Sequence, residues 1–200
     1  MKVLVLGKNG QLGLSIKKVL AELVLKNDYF FIGRDQLNLM ETLDIERYFN
    51  INNIDVILNC TAYTNVDKAE EEKIIARRIN SLAIGELAKI SARKNIKLIH
   101  ISTDHVFDGD LNRPYNENDK TCPLNIYGKT KLEGENAILK SLPLNGLIIR
   151  TSWLYSEYRK NFVKTMLDLS REKKELNIVS DQYSTPTYCS DLAKVVIDII

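Results

Sequence analysis

The 200 residues carry 28 Lys and Arg against 26 Asp and Glu, a net charge of +2, with 44% hydrophobic and 27% charged residues. That balance belongs to an ordinary globular chain with one sizeable core, and it excludes a nucleic-acid surface built on excess positive charge. Cys60, Cys122 and Cys189 are widely spaced and form no CxxC pair, which argues against a disulfide framework or a zinc site and fits a reducing cytoplasm.

Val3–Leu6 is a compact apolar run that Gly7 interrupts, too short for a membrane span or a signal peptide. It reads as a strand buried on both faces. Gly7-Lys-Asn-Gly10-Gln-Leu-Gly13 follows at once and opens a predicted helix, Leu12–Leu25, whose Leu12, Ile16, Leu20 and Leu23 form one apolar stripe. Glycines there allow a tight turn, backbone approach to a pyrophosphate and close helix–strand packing. The helix start offers unpaired N–H groups to phosphate. Gly7, Asn9, Gly10, Gln11, Leu12 and Gly13 are therefore expected to cradle a dinucleotide.

The next predicted strand, Tyr29–Ile32, ends in Gly33-Arg34-Asp35. Arg34 is placed either to grip the 2′-phosphate of NADP with its two-pronged guanidinium or to pair with Asp35 on a surface turn. NADPH is the favoured cofactor, with NADH possible. A helix (Leu43–Phe49), a strand (Val56–Asn59) and a long helix (Glu72–Arg93) follow. Asp67 and Glu70 to Glu72 fit the charged start of a helix better than an acid/base pair. Leu98–Ser102 reads as a further buried strand, in which His100 fits a satisfied core side chain better than a catalyst.

Thr103 to Asn125 is the longest unpatterned stretch, of the length that usually carries function. Beyond it, Tyr127-Gly-Lys-Thr-Lys131 opens a predicted helix, Ile126–Leu139. A spacing of four sets Tyr127 and Lys131 on one face. A phenol is a weak acid at neutral pH, and a neighbouring ammonium is expected to bring its pKa down toward 7. Ser102-Thr103-Asp104 ends the preceding strand, where ligands bind in open α/β sheets, and its hydroxyl could hold the oxygen that the tyrosine protonates. Leu147–Arg150 is the fifth strand. A helix (Asn161–Lys173), a short strand (Leu176–Val179), a loop through Pro186 and a closing helix capped by Ser190 complete the pattern. That helix reaches Ile200 with no C-cap, as though the sequence were cut short.

The alternation of strands and helices predicts an α/β, Rossmann-type doubly wound parallel sheet with a small, truncated substrate-binding part. The glycine loop, the threonine and the Tyr–Lys pair together resemble the extended short-chain dehydrogenase/reductases. Gly7–Gly13, Asn59-Cys-Thr-Ala-Tyr-Thr-Asn-Val-Asp-Lys-Ala-Glu70, Ile101-Ser-Thr-Asp-His-Val-Phe-Asp-Gly109, Pro123–Glu135, Arg150-Thr-Ser-Trp-Leu-Tyr155, Asn161–Met166 and Asp181–Thr187 narrow it. In collinear order they resemble the dTDP-4-dehydrorhamnose reductase family.

The resemblance implies NAD(P)H-dependent reduction of the C4 keto group of dTDP-4-dehydro-L-rhamnose, in the cytoplasm, for cell-surface polysaccharide such as lipopolysaccharide. It implies Tyr127 as proton donor, Lys131 as its electrostatic partner and holder of the nicotinamide ribose, and Thr103 as the residue orienting the carbonyl. Asn38 and Leu39 would meet the adenine, and Cys60, Thr61, Ala62 and Tyr63 the nicotinamide half. Asp104, Val106, Trp153 and Asn161 would face the dTDP-sugar, although Trp153 could instead be a core aromatic. His105 stands where the family often has tyrosine and fits a loop residue at the site edge. Residues 1–150 would form the NAD(P)-binding domain, and 151–200 an incomplete sugar-nucleotide part mixed with the last Rossmann elements. No nucleic-acid or membrane partner is expected. Some members dimerise through a metal-linked glutamate after the Pro-Thr segment. Cys189 and Ser190 stand there instead, so a homodimer, if formed, would not use that link, and no metal ligand is expected. Two other readings are compatible with the residues. One is a non-catalytic NADP-binding regulatory subunit of the methionine adenosyltransferase type. The other is a related nucleotide-sugar epimerase or dehydratase, though dehydratases usually carry Asp-Glu after the threonine, where Asp104 precedes His105 here.

Overall fold

The computed structural model describes residues 1–23 and 26–200. Its contacts divide the chain into two compact units, Met1–Gly7 with Lys26–Arg150, and Lys8–Leu25 with Thr151–Ile200.

The first unit is built on a five-stranded sheet. Its strands are β1 (Lys2–Leu6), β2 (Asp28–Ile32), β3 (Val56–Asn59), β4 (Lys97–Thr103) and β5 (Gly146–Thr151, whose last residue falls in the second unit), in the order β2-β1-β3-β4-β5. β1 pairs in parallel with β2 and with β3, and β3 with β4. The aliphatic runs explain this directly. Val3 to Leu6 and Val56 to Asn59 are buried at every position, as strands covered on both faces must be. The strand order reverses between β1 and β3, and ligands bind beyond the carboxyl ends of strands at such a switch. The predicted fold class is therefore the observed one.

Helices α2 (Thr42–Ile51), α3 (Val66–Glu71), α4 (Lys73–Arg77), α5 (Ala83–Lys94) and α6 (Ile126–Ser141) complete this unit. Leu4, Leu6, Ile57 and Leu98 of the sheet share one core with Ile45 and Phe49 of α2, Ile84 and Leu87 of α5, and Ile138 of α6. Each such side chain contributes about 1.5–3 kcal/mol by leaving water. The long helix predicted over Glu72–Arg93 is interrupted. Glu72 has left helical geometry between α3 and α4, and a π-turn, Arg78–Leu82, separates α4 from α5. Asn65 caps α3, its Oδ1 accepting from Lys68 N–H at 3.0 Å.

The second unit holds α1 (Gln11–Ala21), α7 (Phe162–Glu172), α8 (Cys189–Ile199) and a two-residue parallel pair, Leu154–Tyr155 (β6) with Thr187–Tyr188 (β7). α1 packs against α8. Val24 and Leu25, the end of the predicted first helix, lie outside the described residues. Two expectations need correcting. Leu176–Val179 is no strand: it is mostly exposed and has no strand partner among the described residues, and Thr187–Tyr188 does the pairing instead. Ser190 is not the cap of α8. Tyr188 occupies the cap position, and Ser190 lies inside the first turn with its hydroxyl buried and unpaired. Cys189 is buried, and burial pushes its thiol up to about 11. Among the described residues no helix is long and apolar enough to cross a membrane.

Candidate active site

β4 delivers Thr103 to its carboxyl end, where a 3-10 turn, Asp104–Val106, begins. Thr103 Oγ1 accepts from His105 N–H at 3.2 Å and donates to Asp104 Oδ1 at 3.1 Å. The turn is held against the start of α6 by backbone contact. Gly128 lies so close to the His105 carbonyl that a Cβ there would sit 2.1 Å from its oxygen. Asn125 caps α6, its Oδ1 accepting from Gly128 N–H at 2.7 Å while its amide reaches His105 Nδ1 at 3.0 Å. Glu70 Oε1 accepts from Ile126 N–H at 2.8 Å.

Tyr127, the second residue of this well-anchored helix, meets the His105 ring edge-on at 5.4 Å. Burial raises its pKa above the usual phenol value. The side-chain hydrogen bond with Thr103 offsets this in part, and the Asp104 carboxylate adds to the rise. One turn on, Lys131 is 1% exposed. Its Nζ donates to the Ile101 carbonyl at 2.7 Å and lies 3.0 Å from His100 Nε2. Burial brings its pKa down from 10.5 to about 7 against the opposing pull of Glu135 and Cys60. The sequence led us to expect an ammonium lowering the phenol. The shifts fall the other way, because the helix face carrying both residues is desolvated.

Further polar groups hold this arrangement. Glu135, 1% exposed, takes Arg150 in a two-pronged pair at 2.6–3.2 Å, and Arg150 also lies over the Phe107 ring. Asn80 of the π-turn clamps the loop after β3, accepting from Tyr63 N–H at 2.8 Å and donating to the Tyr63 carbonyl at 3.1 Å. π-turns recur at functional sites. Asn59, His100, Asn80 and Glu135 were not singled out as site residues from sequence. Asn59, Asn80 and His100 are polar residues within apolar elements, and a buried polar group demands a partner.

At the end of β1, Gly7 has φ +93°, and a Cβ there would come within 3.1 Å of the Cys60 carbonyl oxygen. Only glycine permits that backbone approach. Thr61 donates its hydroxyl to Asn59 Oδ1 at 2.6 Å. Tyr63 donates to Glu72 Oε2 at 2.7 Å, which pushes its phenol up to about 12. Ala62 lies between them, partly buried. Arg34 is exposed, Asn38 Oδ1 accepts from Met40 N–H, and Leu39 is buried in the core, so its side chain offers little to a ligand. Asp104 is partly exposed. Val106 is fully buried, its side chain directed inward from the 3-10 turn.

Within the second unit, Gly10 caps α1 with no side-chain hydrogen bond, so no side chain at the cap competes for the first-turn N–H groups. Asn9 gives its carbonyl to Arg159. Leu12 and Gly13 are buried. Gln11 is a hub, donating to Leu154 O and accepting from Ser156 Oγ and Asn161 Nδ2. Asn161 caps α7 by accepting from Lys164 N–H and donates to Ser156 O. Its side chain thereby ties the start of α7 to Gln11 and Ser156. Trp153 packs edge-on against Phe162 at 5.0 Å and holds φ +45°. That left-handed backbone costs a bulky residue about 1–3 kcal/mol, and such strain concentrates at functional positions.

The family described as RmlD substrate binding domain matches residues 1–200. The dTDP-4-dehydrorhamnose reductase of Sinorhizobium fredii is 40% identical over 199 residues, covering 100% of this chain and 66% of that protein. A crystal structure of a dTDP-4-dehydrorhamnose reductase from Clostridium acetobutylicum superposes with TM-score 0.94 at 40% identity, over 100% of this chain and 70% of the other. One from Bacillus anthracis, in complex with NADP, gives TM-score 0.92 at 36% identity, over 99% and 69%. The chain spans about two thirds of the length of the curated relatives it matches.

Proposed function

Because the chain belongs to the RmlD substrate-binding family, we propose that it serves NADPH-dependent reduction of dTDP-4-dehydro-L-rhamnose at C4. The observation that carries this reading is the placement of Tyr127, at the start of α6, against the Thr103–His105 turn that ends β4, where its phenol can offer a proton beside the Thr103 hydroxyl. A carbonyl reduction needs such a donor at rest.

The residues fit the cofactor. Gly7 lets the backbone close in beside Cys60, and Gly10 leaves the α1 cap free of any side-chain hydrogen bond. In the first unit, Gly7 would admit the pyrophosphate, Arg34 would hold the 2′-phosphate and Lys131 the nicotinamide ribose; in the second, Gly10 and the first-turn N–H groups of α1 would offer donors to phosphate. Bound NADPH would supply hydride to the sugar C4.

Tyr127 then gives its proton to the C4 oxygen as that oxygen takes up negative charge. Thr103 orients the carbonyl. At rest its hydroxyl proton points to Asp104, so it must rotate to donate to substrate. The phenolate left behind is stabilised by Thr103 and by positive charge on Lys131. Trp153, strained within its own unit, is proposed to touch the sugar nucleotide. The setting proposed is the cytoplasm, where dTDP-rhamnose is made for surface polysaccharide.

The test follows NADPH absorbance with the dTDP-4-keto sugar. The chain is expected to turn over, and Tyr127→Phe to lose about two to four decades of rate while still binding both ligands. An unchanged rate in that variant would remove Tyr127 as the acid.

A further inference from the structure

Behind Lys131 lies a buried chain of polar groups that the reaction itself does not call on. Asn59 ends β3 with no exposed surface, and His100 in the middle of β4 is equally buried. Asn59 Oδ1 accepts from both the Thr61 backbone N–H, at 3.1 Å, and the Thr61 hydroxyl, at 2.6 Å. The backbone N–H can only donate, so the oxygen of this amide is fixed on the Thr61 side. Its Nδ2 must therefore face His100, which it does at 2.9 Å from Nδ1. An amide nitrogen only donates, so His100 Nδ1 must be the bare, accepting nitrogen. Burial keeps the ring neutral, with its pKa well below 6.5. Its one proton then resides on Nε2, which points at Lys131 Nζ 3.0 Å away.

An ammonium has three donors and no lone pair, so it cannot accept that proton. A neutral amine can, while still donating to the Ile101 carbonyl. We propose that His100 is a positioning residue whose Nε2–H, locked in place by Asn59 and Thr61, holds Lys131 as a neutral amine and so sets when the reductase can draw on a lysine charge. This deepens the reductase reading and rests on it only for the use made of that charge.

The other groups around Lys131 do not replace this control. Glu135 on the same helix and Cys60 after β3 both favour the charged form, and Glu135 is already engaged by Arg150. Tyr127, one turn back, is neutral at rest. Burial and the His100 proton oppose them. To charge Lys131 with its neighbours in place, either the Nε2–H contact must break or the His100 proton must move to Nδ1. The second route turns Asn59 over and sets two donors against each other at Thr61.

The experiment uses the 200-residue chain with neither cofactor nor sugar, so its outcome is independent of the reductase assay. Nitrogen-15 NMR of the histidine rings reports which nitrogen of His100 carries the proton, with His100→Asn identifying the signals. Carbon-13 labelling of the lysine Cε atoms follows Lys131, identified by its loss in Lys131→Met. The expected result is a neutral His100 ring with its proton on Nε2, and a Lys131 midpoint near 7. In His100→Asn the new amide oxygen still serves Asn59 but gives nothing to Lys131. The lysine midpoint should then rise by about one pH unit or more. A proton on Nδ1, a Lys131 that stays charged to about pH 9, or an unmoved midpoint in His100→Asn would each overturn the proposal. If that variant does not fold, His105→Asn supplies the assignment by elimination, and the ring proton and lysine midpoint of the wild-type chain decide. Failure of NADPH turnover with these signals intact would remove the reductase reading alone.

Discussion

Gly128→Ala tests how α6 is docked. The added Cβ would sit 2.1 Å from the His105 carbonyl oxygen, 2.9 Å from its carbon and 3.1 Å from Pro123 Cβ. Nonbonded atoms settle at roughly 3.5–4.0 Å, so the start of α6 and the 3-10 turn must part by about 1 Å or more. Overpacking of this kind costs about 1–3 kcal/mol, and the upper end applies because the obstacle is backbone and cannot rotate away. Alanine returns up to ~1 kcal/mol of helix propensity, leaving a net loss of about 2 kcal/mol. For a chain of this length that lowers the melting temperature by about 4–8 °C. The same separation moves Tyr127 from Thr103, and a displacement of that size costs on the order of a hundredfold in turnover. Gly85→Ala is the control, because its Cβ would meet only Ala137 Cβ at an ordinary 3.4 Å. Urea unfolding and NADPH oxidation of both variants decide the matter. A Gly128→Ala protein as stable and as active as Gly85→Ala would refute this account of how the turn and helix meet.

Three further variants probe separate parts of the site. Lys131 is depressed from 10.5 to about 7 in the folded chain. Between those values the unfolded chain holds the extra proton, so stability relative to Lys131→Met should rise with pH, by up to about 1.4 kcal/mol per unit, and level off below 7. A flat difference in pH-dependent urea unfolding would mean that the amine is not desolvated. Gly7→Ala should lose about 1–2 kcal/mol of stability in thermal unfolding, because φ +93° is hostile to a Cβ and the Cys60 carbonyl oxygen lies 3.1 Å from it; an unchanged midpoint would refute the strain. Arg34→Ala should weaken NADPH about tenfold and NADH little in titration, as loss of a charge-assisted phosphate contact requires. Equal losses would return Arg34 to a surface turn.

The sheet was legible because buried parallel strands announce themselves as unbroken aliphatic runs, and Val3–Leu6 and Val56–Asn59 do so at every position. The same signal misled at Leu176–Val179, where apolar residues sit in an exposed, unpaired stretch, while the true pair Thr187–Tyr188 is too short to form a run. The breaks around Glu72 and the π-turn at Arg78–Leu82 leave helical periodicity almost untouched, so the region read as one helix. Asn80, buried in the middle of that pattern, was the available clue. The relation of Tyr127 to Lys131 needed only a spacing of four. Their ionisation needed β4, because the contacts of Lys131 with Ile101 and His100 span some thirty residues that no local pattern connects.

The same desolvation that makes Lys131 hard to charge makes Tyr127 hard to ionise. A phenol of ordinary pKa is already protonated at neutral pH, and burial moves Tyr127 further in that direction. In the reaction proposed above, a positive charge one helical turn away gains strength once a phenolate has formed in this low-dielectric surrounding. Near neutral pH Lys131, brought down to about 7, is divided between amine and ammonium. Depressed lysine and raised tyrosine are thus two consequences of one buried helix face. The glycine that lets α6 touch the His105 turn and the histidine behind Lys131 are the residues through which that face is held.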